Sequence, residues 1–107
     1  MSTATLTGTG PGRFRVDGDL DFASVGPLLG EGARLFAASP AVRVDLQGVR
    51  QANSAGLALL LEWLDQARRR NQRLELVNLP ESLVRIAAIT NLAGLLPLGP
   101  APATQLP

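Results

Sequence analysis

The segment from Ala41 to Arg70 constrains the fold more than any other part of the sequence. It opens with AVRVDL, residues 41–46, a β-branched run whose near-continuous apolar character is typical of a buried central strand. It closes with a clear helical pattern over residues 57–70. The apolar positions that share one stripe of this helix are Leu57, Leu60, Leu61, Leu64 and Ala67. A strand followed by such a helix indicates the crossover unit of an α/β fold.

The N-terminal third of the chain supplies two more strands and another helix. Alternating residues on both sides of the tripeptide GPG predict a β-hairpin over residues 3–20. Helical spacing then predicts a helix over residues 22–38, which must end before Pro40. Asp21 or Ser24 is expected to cap this helix.

The C-terminal third repeats the alternation of strand and helix. RLELVN, residues 73–78, predicts a strand. Pro80 then lies in the first turn of a short predicted helix over residues 81–90. The string NLAGLLPL, residues 91–98, predicts either a last short strand or a further turn of helix.

The element order ββαβαβα predicts an α/β sandwich, in which helices pack on a mixed sheet of four or five strands. We expect a single domain over residues 1–98, because 107 residues suffice for one hydrophobic core and not for two. Residues 99–107 are rich in Pro and Ala without periodicity, which predicts a flexible tail.

The composition excludes most catalytic chemistries. The chain contains no His, Cys, Tyr or Lys, so the usual zinc ligands and the imidazole or lysine bases of hydrolases are missing. We therefore expect no enzyme activity, no metal and no cofactor. The 10 basic residues, all arginines, nearly balance 9 acidic ones, which predicts no nucleic-acid binding. No apolar run reaches the ~18 residues of a membrane span, which predicts a soluble, cytoplasmic protein without membrane insertion.

The junction QANSAGLALLLEW, residues 51–63, holds the strongest candidate site. ANSAG is similar to a nucleophile elbow, but the serine would lack a base, and a phosphate loop would lack its lysine. We instead expect Ser54 to cap the helix with its hydroxyl group and Gly56 to allow close packing. An exposed hydroxyl at a helix N-terminus also tolerates a phosphate group, because the helix dipole favours negative charge there.

Two apolar residues of this helix fall outside its core stripe. Helical residues are spaced about 100° apart around the axis, so Leu59 is predicted to point away from the core. Trp63, one turn later, is predicted to flank the exposed ridge that Leu59 forms. Two interpretations of Leu59 and Trp63 are equally good. They pack against a neighbouring helix, or they belong to a partner-binding ridge that starts at Ser54. Beyond the ridge lies a basic cluster, for which a solvated helix end is favoured over an acid-binding patch. Its members are Arg68, Arg69, Arg70 and Arg73.

The segment over residues 44–98 resembles a STAS domain, the fold of the anti-sigma factor antagonists. The similarity lies in a strand ending in DL, a junction of the type D-[ST]-x-G-L, a long helix, a strand and a P-x-x-L-x-x-I helix. GDLD at residues 18–21 is also similar to the G-E-L-D of this family. Within the family, GLALLL and the closing NL..LLP most resemble the STAS subunit of Mla phospholipid-transport systems.

This resemblance implies a non-catalytic, cytoplasmic protein that binds the ATPase subunit of a Mla-type phospholipid ABC transporter. There it would support assembly and activity of the complex, with its permease and lipid-binding subunits, in outer-membrane lipid asymmetry. The alternative is an anti-sigma factor antagonist controlled by phosphorylation at Ser54, the family position that is phosphorylated in those antagonists. Asn53 replaces the usual aspartate, and Ala55 replaces a Ser or Gly. The implied partner-binding residues are Asn53, Ser54, Ala55, Gly56, Leu59 and Trp63.

Overall fold

The computed structural model describes residues 3–91 together with Gly94 and Leu96. The elements, in chain order, are β1 Ala4–Gly10, β2 Arg13–Leu20, α1 Val25–Phe36, β3 Ala41–Ala52, α2 Ser54–Arg69, β4 Arg73–Val77 and α3 Glu81–Ile89. This is the order predicted from the sequence. The predicted closing element over residues 91–98 and the predicted tail over residues 99–107 lie outside the described residues, apart from Asn91, Gly94 and Leu96.

The strands form a four-stranded mixed sheet in the order β1-β2-β3-β4. The pair β1 and β2 is antiparallel, whereas β2 with β3 and β3 with β4 are parallel. Each parallel connection contains a helix, α1 before β3 and α2 before β4, as crossover geometry requires. The predicted α/β fold with a mixed sheet is confirmed, with four strands in the described part of the chain.

The core lies between one face of the sheet and the helices. Val16 and Val44 of the two central strands are fully buried in the same cluster as Leu28, Leu60 and Leu83, which come from the three helices. Residues that alternate with the buried strand residues are polar and face solvent. One face of the sheet is therefore covered by helices, and the other presents polar side chains.

The strand β3 is twice as long as its apolar run predicts, because it continues past Leu46 to Ala52. Its second half pairs only with β2, and the register shifts where Asp17 meets Gly48. A Cβ atom at residue 48 would lie 2.9 Å from the backbone oxygen of Val16 and would also displace the Asp17 carboxylate, so glycine fits best at this position. Residues 47–52, QGVRQA, are mostly polar or small, so the sequence pattern does not predict this extension of the strand.

The helix α2 buries a broader face than its sequence stripe predicts. Its buried residues are Ala55, Gly56, Leu57, Leu59, Leu60, Trp63 and Ala67. The prediction that Leu59 points away from the core is wrong, since its side chain is only 3% exposed. Leu61 and Leu64, which belong to the predicted stripe, are only partly buried. Because α2 packs against α1 and α3 as well as against the sheet, one stripe does not describe its buried surface.

Candidate functional site

The candidate site lies where β2 and β3 end and α2 begins. The last residues of the two strands, Leu20 and Ala52, are partners in the parallel register. The backbone N–H of Asn53 then donates a hydrogen bond to the Leu20 carbonyl at 3.1 Å. The loop after β2 and the first turn of α2 therefore leave the sheet side by side.

Asn53 is the residue that caps α2. Its backbone is extended, with φ −115° and ψ −164°, and its side-chain oxygen accepts a hydrogen bond from the N–H of Ala55 at 2.9 Å. The prediction that Ser54 is the cap is wrong by one residue, because Ser54 is already the first residue of the helix. A cap must lie outside the helix for its side chain to reach the free amides of the first turn.

Ser54 is left with an exposed hydroxyl group. Within the described part of the chain this hydroxyl makes no hydrogen bond, and the residue is exposed to solvent. Ala58 and Glu62, at successive steps of four residues, are exposed as well. Since residues four apart lie on one side of a helix, they form a continuous outer surface. We call Asn53, Ser54, Ala58 and Glu62 the Ser54 face.

The other residues of the predicted partner surface are structural. Ala55 is buried, and Gly56 lies so close to β2 and β3 that an added Cβ would come within 3.0 Å of the Leu20 side chain and 3.3 Å of that of Ala52. The prediction that Gly56 allows close packing is confirmed by these distances. Leu59 is buried in the core, and Trp63 is also buried.

Trp63 packs against α1 instead of forming part of an exposed ridge. Its side chain is 1% exposed, and its ring meets that of Phe36 edge-on with 5.1 Å between the centroids. The first of the two sequence interpretations, packing against a neighbouring helix, is therefore the observed one. Of the six predicted partner-binding residues, only Asn53 and Ser54 reach solvent.

The loop after β2 is held in a defined shape by its own polar side chains. The carboxylate of Asp21 accepts hydrogen bonds from the N–H groups of Ala23 at 2.9 Å and Ser24 at 3.1 Å. The Ser24 hydroxyl donates to the Asp19 carbonyl at 2.6 Å. Ser24 occupies the N-cap position of α1, but its side chain makes no capping hydrogen bond. The backbone N–H groups before α1 are bound by the Asp21 carboxylate instead. A shallow depression of about 170 Å³ separates this loop from Asn53.

Phe22 is a candidate contact residue that the sequence analysis did not single out. Its side chain lies on this loop and is 79% exposed, although phenylalanine is usually buried. The available signal was an aromatic residue in the polar stretch GDLDFAS, outside the apolar spacing of the helix that follows. Exposed aromatic side chains are enriched in protein interfaces, so Phe22 is a second candidate contact, on the loop whose Asp21 lines the same depression as Asn53.

The predicted basic cluster is divided by the structure. Arg69 forms an ion pair with Asp65 at 2.7 Å, one turn earlier on α2. Arg70 donates to the carbonyl of Ala33 at 3.0 Å and so ties the end of α2 to α1. Arg68 is exposed at the helix end, whereas Arg73 belongs to β4. The four arginines therefore do not form a single patch.

Neither a metal centre nor a membrane span is evident in the described residues. No group of three or more acidic, His or Cys side chains among residues 3–91, 94 and 96 is arranged to hold a metal ion. Over the same residues, no helix combines the length and the apolar character needed to cross a bilayer.

The sequence matches the family model described as "Mlab, STAS domain" over residues 7–97. The chain belongs to the STAS domain family. Proteins with a STAS domain are generally regulatory or interaction proteins. No curated protein matches the chain.

Solved structures agree with this STAS fold. An anti-sigma factor antagonist from Mycobacterium paratuberculosis is similar with a TM-score of 0.69 at 23% identity, over 94% of this chain and 86% of that one. The anti-sigma factor antagonist SpoIIAA in its unphosphorylated form gives a TM-score of 0.70 at 14% identity, over 95% of this chain and 90% of that one. At these identities the likeness establishes the fold of the STAS domain.

Proposed function

We propose that the protein is a non-catalytic subunit that binds the ATPase of a Mla-type phospholipid ABC transporter through the Ser54 face. It acts in the cytoplasm and is peripheral to the inner membrane through this partner. The observation that carries the proposal is the exposed, unbonded hydroxyl of Ser54 at the start of a helix whose other side is locked into the core. Such a surface is rigid, so docking does not require it to become ordered.

The chemistry of the surface suits docking more than catalysis. The Ser54 face presents the amide of Asn53, the hydroxyl of Ser54, the methyl group of Ala58 and the carboxylate of Glu62. The amide is engaged as the helix cap, and the hydroxyl has no base to activate it in a chain without His or Lys. The family model that matches residues 7–97 carries the Mlab description, which supports a transporter subunit as the specific role.

A second candidate function is that of an anti-sigma factor antagonist switched by phosphorylation at Ser54. Both solved structures described above are anti-sigma factor antagonists, which favours this candidate. Ser54 is the first residue of α2, where free backbone N–H groups and the helix dipole would stabilise a phosphate. In this role the negative charge would prevent a partner from docking on the Ser54 face.

Affinity purification of the tagged protein from its own cells distinguishes the two candidates. If the protein is a transporter subunit, an ABC ATPase and its permease co-purify, Ser54→Ala retains part of the binding, and Ser54→Glu abolishes it. Ser82→Glu is the matched control, because Ser82 also lies in the first turn of a helix, α3. This control should bind as the wild type does.

Different results would contradict the proposal. A tight complex with a GHKL-type anti-sigma kinase and no ATPase would exclude the transporter role, and incorporation of phosphate at Ser54 by that kinase would establish the second candidate. Equal losses for Ser54→Glu and Ser82→Glu would show that the Ser54 face is not the docking surface.

A further inference from the structure

Three arginines converge on the helix-free face of the sheet, at the amino ends of the parallel strands. Arg13 begins β2, Arg43 lies near the start of β3 and Arg73 begins β4. All three are exposed. We call them the arginine cluster. It lies at the opposite ends of the strands from Ser54, so it is separate from the proposed docking site.

The backbone fixes the spacing of the arginine cluster. Arg13 and Arg43 are partners in the parallel register, and the N–H of Arg43 donates to the carbonyl of Gly12 at 2.8 Å. The N–H of Arg73 donates to the carbonyl of Pro40 at 3.0 Å, which places Arg73 beside Ala41. The cluster is therefore set on neighbouring strands about 5 Å apart and does not depend on a flexible loop.

Glycine is required for this arrangement. Gly12 has a φ of +69°, and an added Cβ would lie 2.6 Å from the carbonyl oxygen of Ala41. The turn between β1 and β2 can therefore approach the start of β3 only without a side chain at this position. This approach brings Arg13 next to Arg43.

The positive charge of the cluster is only partly balanced. Arg43 pairs with Glu75 at 2.6 Å. No acidic group in the described part of the chain lies within ion-pair distance of Arg13 or Arg73. Like charges on neighbouring strands repel each other, and the Glu75 carboxylate offsets this repulsion at Arg43 but makes no ion pair with Arg13.

The surface around the cluster is concave. An open depression of about 510 Å³ contains all three arginines together with Pro11, Gly12 and Glu75 in its walls. A second depression of about 390 Å³ continues along Arg13 and Arg43 towards Asn78, where the carboxylate of Asp45 also lines it. An acidic ligand is therefore favoured at the end that Arg13 and Arg43 share with the first depression. Guanidinium groups bind carboxylates with paired, directional hydrogen bonds, so the depression suits a chain of carboxylates.

We propose that the arginine cluster binds an acidic, extended peptide segment of a protein partner. The charge is complementary, and adjoining depressions of this size accommodate a strand-like segment. A planar anionic membrane fits less well, because recruitment by charge alone takes about 4–8 basic residues and the cluster supplies three. Among residues 3–91, 94 and 96, the large exposed apolar residues are Phe22, Val84 and Ile89, which lie on a loop and on α3, so this part of the chain places no apolar anchor beside the cluster.

Fluorescence anisotropy with a labelled peptide of Glu-Gly repeats tests the proposal at low ionic strength. The peptide should bind the wild type and weaken as salt is added. The triple variant Arg13→Gln, Arg43→Gln, Arg73→Gln should weaken binding about tenfold. The control Arg34→Gln, Arg68→Gln, Arg85→Gln removes the same number of charges from exposed arginines outside the cluster and should change binding less than about twofold. Circular dichroism verifies that both variants fold.

Four results would overturn the proposal. Equal losses in the two triple variants would show diffuse charge attraction in place of a site. Equal binding of a Gln-Gly peptide would exclude carboxylate recognition. Binding to vesicles of phosphatidylglycerol and phosphatidylcholine, with loss in the Arg13, Arg43, Arg73 variant and no peptide binding, would assign the cluster to the membrane surface. No binding of either probe would leave the cluster without an anionic ligand. None of these results depends on which partner docks at Ser54.

Discussion

The indole of Trp63 lies directly on Gly32 of α1, where any Cβ atom would collide with the indole nitrogen. The ring is held on its edge by Phe36, which in turn meets Phe14 of β2 with 4.8 Å between the centroids. These contacts join α2, α1 and the sheet. The only tryptophan of the chain therefore packs the helix that presents Ser54 against α1, and its side chain is buried.

Replacing Gly32 by alanine should destabilise the protein. The new methyl group would displace the buried indole, and overpacking of this kind costs about 1–3 kcal/mol in the free energy of unfolding. Urea denaturation followed by Trp63 fluorescence measures the change. Gly30→Ala is the matched control, because Gly30 lies in the same helix with nothing within 4 Å of its Cβ position. It should raise stability by about 0.5–1 kcal/mol through helix propensity. Equal effects of the two substitutions would contradict the packing described for Trp63.

Truncating Leu59 should be costly. Its side chain belongs to the core, so Leu59→Ala should lower the free energy of unfolding by about 2–5 kcal/mol. Leu61→Ala, two residues later and only partly buried, should cost clearly less. Urea denaturation checks the order of the two variants. The reverse order would support the orientation that the sequence stripe alone predicted.

The cap of α2 depends on Asn53. Asn53→Ala removes the acceptor of the Ala55 N–H and should cost about 1 kcal/mol, whereas Asn53→Asp keeps an acceptor and should remain close to the wild type. Ser54→Ala should change stability by less than about 0.5 kcal/mol, since its hydroxyl does not cap the helix. Thermal unfolding by circular dichroism measures all three. A larger loss of stability for Ser54→Ala than for Asn53→Ala would show that Ser54, and not Asn53, caps the helix.

Phe22→Ser should weaken partner binding without destabilising the fold. The side chain is 79% exposed, so its removal leaves no cavity, but an aromatic hot-spot residue contributes about 2 kcal/mol, or roughly thirtyfold in affinity. The control is Ile89→Ser, which removes an apolar side chain that is 83% exposed on α3. Affinity for the purified partner, measured by calorimetry, compares the two. A loss confined to Ile89→Ser would move the docking surface from the Ser54 face to α3.

The order of the elements and the chemistry that the chain lacks both follow from the amino-acid sequence alone. Periodicity located each helix and strand, because the alternation of apolar residues depends only on local geometry. The missing His, Cys and Lys exclude mechanisms that need an imidazole, a thiolate or a lysine amine, whatever the fold. The position of Ser54 at the start of α2 also follows from the letters around it, to within one residue.

Two features depend on how the elements pack: the sides of α2 that are buried and the arginines that lie together. Leu59 and Trp63 become core residues because α1 packs against α2, and helix periodicity carries no information about a second neighbour. Arg13, Arg43 and Arg73, about 30 residues apart along the chain, meet because parallel strands bring their amino ends to one edge of the sheet. Contacts between distant segments depend on strand order and register, which no local pattern specifies.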